Sequence, residues 1–251
     1  MKRERDDWDE HWAQFSAAAT WNPAQIMRHR LILRTMEGQG LAPFNILDIG
    51  CGQGDFLARA AAHFPSAHLA GMELSVHGAE ITRRKVPQAE VFIGNLLDPS
   101  MTMHGYHGWA HLAVCSEVLE HVDEPEQLLR SAAPYLMERG KLIVTVPGGP
   151  MSAFDRRIGH RQHFTRKSVG DLMRKSGFFV EKIYSAGFPF FNLYRLAIIV
   201  RGERVAKDAI LAASQGKTSA KVFAKIFEKL FFFNLHFIPF GWQIVAVGRK
   251  Q

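Results

Sequence analysis

"LDIGCGQGDFL", residues 47–57, sets Gly50, Gly52 and Gly54 at alternate positions between an apolar run and a helical pattern. Glycine costs backbone entropy, so this density of glycine needs a reason. One reason is a turn whose dihedrals only glycine adopts freely. The other is a ligand that lies against bare backbone. Upstream, "FNILDIG" reads as a short buried strand; downstream, "DFLARAAAHF" reads as a helix stopped by Pro65. The helix after Gly54 then offers its free N–H groups to a ligand that accepts hydrogen bonds.

The same alternation continues along the chain. "HLAGMEL" predicts a second strand, "VHGAEITRRK" a helix and "AEVFIGNLL" a third strand. "WAHLAVCSEVLEHV" predicts a strand turning into a helix near Ser116. "EQLLRSAAPYLMERG" predicts a helix, and "KLIVTVP" a strand stopped by Pro147. Strands alternating with helices imply right-handed crossovers and a parallel sheet. "GFFVEKIYSAG" and "GWQIVAVGRK" add two strands, separated by roughly 55 residues, far more than a loop between neighbouring strands uses. The fold class is therefore α/β: a Rossmann-like seven-stranded sheet, last strand antiparallel, with helices on both faces and a helical insertion before the last strand.

Composition sets outer bounds. The chain has 251 residues, 47% hydrophobic and 22% charged, which suits one large globular domain. The opening "MKRERDDWDEHW" has no apolar core of a signal peptide, and no apolar run is long enough for a membrane span. Cys51 and Cys115 are too few for a disulfide framework or a cysteine-ligated metal. The expectation is a reduced, cytoplasmic protein, with contact at a membrane surface left open. A net charge of +7 suits an anionic partner without choosing one.

Four motifs stand in order: D-x-G-x-G-x-G at Asp48–Gly54, "GMELS" at 71–75, "GNLLD" at 94–98 and "CSEVLEHVDEP" at 115–125. In this order and spacing the sequence resembles the class I S-adenosylmethionine-dependent methyltransferases, in a branch similar to the ubiquinone-biosynthesis O-methyltransferase. The resemblance covers roughly residues 20–185 and the final strand. It implies that Asp48, Gly50, Gly52 and Gly54 face the methionine moiety and that Glu73, with Leu74 beside it, takes the ribose. It implies further that Asn95 and Leu96 flank the adenine, and that Ser116, Glu117 and His121 close the pocket. An arginine before the loop contacts the cofactor in that family; Arg30 falls there, with Arg28 as the alternative. The domain reading is 1–40 as a helical cover, 41–186 plus 241–251 as the S-adenosylmethionine-binding domain, and 187–240 as an inserted helical lid or substrate subdomain.

The acceptor end is less defined. If Ser116 starts a helix, Glu117, Glu120 and His121 fall at i, i+3 and i+4 on one face. The resemblance implies magnesium at such a Glu-x-x-Glu-His set; carboxylates suit that ion and histidine suits it poorly. The alternative is a pocket lined by Glu117 and His121 without metal. In "VPGGPMSAFDRRIGHRQHFT", His160 or His163 is the candidate proton acceptor, and Arg156, Arg157 and Arg161 are candidates to hold an acidic substrate group. The alternative there is that "RQHFT" opens the next helix, with Thr165 as its N-cap.

The insertion carries "FPFFNLYRLAIIV" and then "AKVFAKIFEKLF", where Val222, Ile226 and Leu230, with Phe223, Phe227 and Phe231 beside them, adjoin a stripe of Lys221, Lys225 and Lys229. Such a basic amphipathic helix is either a lid packed on the domain or a surface for an anionic membrane or a long apolar substrate. The functional expectation is O-methylation of a small or lipid-like hydroxylated substrate. The alternatives are an RNA methyltransferase, which the charge allows but no RNA-binding module supports, and a non-catalytic cofactor-binding or membrane-associated partner.

Overall fold

Strand β1 (Asn45–Ile49) is buried beyond its first residue, as a strand covered on both faces must be. The structure is a computed structural model and describes residues 7–20, 22–38, 44–201 and 225–251. β1 pairs in parallel with β2 (His68–Glu73) on one side and β4 (Ala110–Ser116) on the other. β3 (Ala89–Ile93) lies beyond β2, and β5 (Leu136–Pro147) beyond β4, also in parallel. β8 (Gln243–Lys250) runs antiparallel between β5 and β6 (Phe178–Phe188). The order β3-β2-β1-β4-β5-β8-β6 is the expected seven-stranded sheet. A two-residue strand, β7 (Leu235–His236), pairs with β6 and makes an eighth. The inserted segment thus returns to the sheet edge before it ends.

Period-two alternation feeds two cores. Leu112 and Val114 of β4, Ile143 of β5 and Val245 of β8 face one; Ala113, Cys115, Val144 and Ile244 face the other. The first core is closed by α2 (Pro23–Glu37) and α3 (Asp55–His63), the second by α5 (Pro125–Ala132) and α7 (Arg166–Lys175). Both cysteine thiols are buried and free, and burial pushes each above the ordinary thiol range, so they pack rather than react.

Two expectations fail locally. After Ser116 there is no helix: Glu117 takes φ +56°, and only a 3₁₀ turn at Leu119–His121 follows before Pro125 opens α5. The Glu117 N–H donates to the Thr145 carbonyl at 2.9 Å, so the strand register runs one residue further and the chain must turn sharply. "LMERG" is strand, because the helix stops at a 3₁₀ turn containing Pro134 and Leu136 pairs with Ala110.

Asn22 caps α2, its side-chain oxygen accepting from the Ala24 N–H at 3.0 Å with Pro23 as first helical residue. Helix α1 (Trp8–Thr20) lies against α4 (Val76–Lys85). In the insertion, α8 (Phe190–Arg201), the helical residues 225–230 and the 3₁₀ turn Phe231–Phe233 pack inward through Phe191, Tyr194, Phe227 and Phe231. The expected roles of Lys221, Val222 and Phe223 lie outside the described residues. Among the described residues, no helix is long and apolar enough to cross a membrane.

Candidate active site

Gly50, Gly52 and Gly54 all have left-handed backbones, at φ +73°, +56° and +75°. A Cβ on Gly50 would come 2.5 Å from Val118, and one on Gly52 2.5 Å from the Trp12 ring. The first reason therefore holds, because the turn needs positive φ, and at Gly50 and Gly52 the group that approaches bare backbone is a side chain of the protein itself. At Gly52 it is Trp12 of α1, which the glycine spacing gave no hint of. Asp9, also on α1, accepts from Ser75 Oγ at 2.5 Å and from the His77 N–H at 2.9 Å. "WDEHW", with tryptophans one helical turn apart, was the available signal of a face that docks.

Behind the loop lie two buried acids. Glu73 accepts from the Gly52 N–H at 2.7 Å and the Ser75 N–H at 2.9 Å, yet burial outweighs these donors and raises its pKa. Asp48 is raised to about 8, by burial first and then by the charge of Glu73. Such a pair repels phosphate and favours a ligand that brings hydroxyl donors and positive charge.

The pair also costs stability. Between pH 5 and 7 the unfolded chain gives up the Asp48 proton while the folded chain keeps it, so stability falls with rising pH. The slope is about 1.4 kcal/mol per unit, or about 3 kcal/mol across this window. In Asp48→Asn that loss is absent. Urea unfolding at both pH values is expected to show the variant gaining about 3 kcal/mol on wild type over the window. A difference independent of pH would mean that Asp48 is already ionised when folded.

The remaining expected cofactor contacts end neighbouring strands. Leu74 follows β2 and is 49% exposed, whereas Leu96 is buried. The Asn95 side-chain oxygen accepts from the Leu97 N–H at 2.9 Å. Ser116 ends β4 with its hydroxyl 2.8 Å from Thr145 Oγ1. Arg30 does not join them: it pairs with Glu228 at 2.5 Å and lies over the Phe232 ring. Arg28, 200° away around α2 at about 100° per residue, is the arginine that reaches Glu117, at 3.6 Å.

Glu117 is held in its left-handed conformation by several partners. Its Oε1 accepts from Gln243 Nε2 at 2.9 Å and Thr145 Oγ1 at 3.2 Å, while Oε2 faces Arg28. The predicted face of Glu117, Glu120 and His121 therefore does not form. Glu120 is fully buried, with both oxygens lacking a hydrogen-bond partner, and burial pushes its pKa well above the carboxylate range. Its ligand atoms lie within 4.8 Å of those of His121 and His160, but one carboxyl and two imidazoles are not the oxygen-rich set that magnesium takes, so these residues do not fit that ion.

His160 and His163 do come together. His163 Nδ1 lies 3.2 Å from the Gly149 carbonyl, which can only accept, so Nδ1 carries hydrogen. Its Nε2 then accepts from His160 Nδ1 at 3.1 Å, which leaves the lone pair of His160 on Nε2. Burial drives the His160 pKa down to about 3, and the nearby Asp155 carboxylate only partly opposes this. The ring of His121, also lowered to about 3 chiefly by burial, packs edge-on against His160 at 4.7 Å.

Ser152 caps α6 (Ala153–Arg157) in a capping box with Asp155, and Asp155 binds Arg195 of α8 twice, at 2.9 and 3.1 Å, tying the histidine loop to the insertion. Of the three expected substrate arginines, Arg161 pairs with Asp123, while Arg156 and Arg157 are exposed on α6. Thr165 caps α7 in a capping box, as the alternative reading of "RQHFT" expected.

A family model described as a methyltransferase domain matches residues 20–183, and the chain belongs to this methyltransferase family, with the fold of its class I S-adenosylmethionine-dependent members. The ubiquinone biosynthesis O-methyltransferase of Coxiella burnetii is 27% identical over 142 residues, spanning 53% of this chain and 60% of that protein. The chain thus matches about three fifths of the length of that curated relative. Among solved structures, phosphoethanolamine N-methyltransferase 2 of Haemonchus contortus, with phosphomonomethylethanolamine and S-adenosylhomocysteine, superposes with a TM-score of 0.64 at 16% identity. It covers 98% of this chain and 59% of that one. A geranyl diphosphate methyltransferase with sinefungin gives 0.59 at 14% identity, covering 90% of this chain and 78% of that one. At these identities the structures speak for the fold alone.

Proposed function

We propose that the protein transfers a methyl group from S-adenosylmethionine to a hydroxyl of a small or lipid-like apolar molecule. The observation that carries this is the buried Asp48–Glu73 pair under the Gly50–Gly54 backbone, which suits ribose hydroxyls and a cationic amino acid moiety. Asp48 and the loop hold the methionine end, Glu73 and Leu74 the ribose, and Asn95 and Leu96 the adenine edge. Arg28, Ser116, Glu117 and His121 close the pocket. When bound, the cofactor would supply an electrophilic methyl carbon whose bond electrons return to sulfur as the acceptor oxygen attacks. His160 Nε2 accepts the hydroxyl hydrogen bond and takes its proton as that oxygen becomes strongly acidic. A conjugate acid near 3 is basic enough for this, and it keeps His160 neutral and ready at pH 7. His163 and the Gly149 carbonyl fix the ring that does so. Helix α1 covers the cofactor through Trp12, and α8 with residues 225–240 forms the lid, joined to the histidine loop by Asp155–Arg195.

The test is transfer of label from methyl-tritiated S-adenosylmethionine to a panel of catechols, prenylated phenols, amines and transfer RNA. Label in aryl or alkyl ethers is expected. Label confined to amines or RNA would contradict the reading.

A further inference from the structure

A cavity of about 440 Å³ lies between the last turns of α2, the middle of β6 and the β7 edge. None of its lining residues belongs to the glycine loop, the acid pair or the histidine array. Its charge is unbalanced. The one acid lining it, Glu181, is taken by Lys141 at 3.0 Å and Arg249 at 3.3 Å. The two cations, Arg34 and Lys182, form no ion pair with a carboxylate among the described residues, whereas the neighbouring Lys141 and Arg249 do. Lys182 Nζ stands 4.4 Å above the Phe237 ring and 5.3 Å from that of Tyr184. His236 Nδ1, on the cavity wall, is buried without a hydrogen-bond partner among the described residues.

The segment that reaches the cavity through Phe237 is apolar and exposed. Phe237 lines the cavity, is 62% exposed and holds φ +67°, a backbone conformation unfavourable for a bulky side chain. Beside it in the chain, Phe233 is 71%, Leu235 54% and Phe240 65% exposed. Exposed aromatic and aliphatic side chains occupy the stretch of chain that reaches the cavity, and two cations of the cavity lack a carboxylate partner among the described residues. Together they match the composition of a surface that faces a bilayer, where an anionic phosphate sits above the acyl chains. A soluble phosphate would use the cations and leave the apolar segment unexplained.

We propose that this cavity receives the phosphate of an anionic glycerophospholipid, docking the protein on a bilayer with Phe233, Leu235, Phe237 and Phe240 at the headgroup boundary. The site is separate from the methyl-transfer site and does not depend on the reading given for it.

Co-sedimentation with vesicles of phosphatidylcholine, with and without phosphatidylglycerol, tests it on the full chain. Binding only to the phosphatidylglycerol vesicles is expected. Arg34→Gln/Lys182→Gln should lose at least about tenfold in affinity, and Phe237→Ser/Phe240→Ser likewise, since either removes one half of the recognition. Lys167→Gln/Lys175→Gln, which removes equal charge on α7, should bind as wild type. Equal loss in that control would reduce the effect to net charge and overturn the proposal. Titration with glycerol 3-phosphate is the second arm: saturable binding of it without vesicle binding would make this a soluble-phosphate site and also overturn the proposal. Matching melting temperatures keep the comparison free of misfolding; should the double variant not fold, each single substitution is expected to show part of the loss, and two fully binding singles would overturn the proposal.

Discussion

Glu73→Gln is expected to weaken S-adenosylmethionine binding by about 10–100-fold while the fold persists, and Glu73→Ala by about 10²–10⁴-fold. A hydrogen bond to a charged acceptor contributes about 1.5–3 kcal/mol, and tenfold in affinity is about 1.4 kcal/mol. Two ribose hydroxyls on one carboxylate therefore set the larger range. The alanine variant has a second effect, because the Gly52 and Ser75 N–H groups both donate to Glu73. Without that acceptor they are buried unpaired, at about 1–3 kcal/mol each, so alanine also destabilises the loop. Glutamine keeps an acceptor oxygen for one of these N–H groups and sets an NH2 group against the other, so it is the milder variant of the two. Calorimetry on both, with melting temperatures, separates the two effects. Unchanged affinity in Glu73→Gln would remove the ribose from this residue.

His160→Ala is expected to lower kcat by about 10²–10⁴-fold, the usual contribution of a positioned proton acceptor, with cofactor affinity near wild type. Because burial holds its conjugate acid near 3, the wild-type rate should not fall through the range where an ordinary histidine titrates, near 6.5. His163→Phe keeps the ring volume but removes the acceptor for His160 Nδ1, so it should slow turnover through loss of orientation. Full kcat in His160→Ala would mean that alignment of the two reactants, which can supply about 7–11 kcal/mol, suffices alone.

The centre of the fold was legible because its signals are local. Alternating glycines after an apolar run, and an acid ending the next strand, place the loop and the Asp48–Glu73 pair without any distant contact. The acceptor side was not, because it is assembled from afar. Asp155 meets Arg195 across 40 positions and Glu117 meets Gln243 across 126, and no periodicity encodes either. Glu117 looked helical by spacing, yet sheet register at Thr145 decides its conformation. Arg28 and Arg30 differ only in helix face, and packing against residues 225–233 draws Arg30 away. The His160–His163 pair was visible as two candidates. Which ring nitrogen is free depends on the Gly149 carbonyl, which only the folded loop brings near.

The acid pair explains why stability is sacrificed under the loop: two buried carboxyls make sense where a cationic, hydroxyl-bearing ligand compensates them. Isothermal titration with S-adenosylmethionine and S-adenosylhomocysteine, with NAD as control, tests that claim most directly. Micromolar binding of the first two, about −8 kcal/mol, and none of NAD is the predicted result. Binding of NAD, or no binding of either S-adenosyl compound, would contradict it.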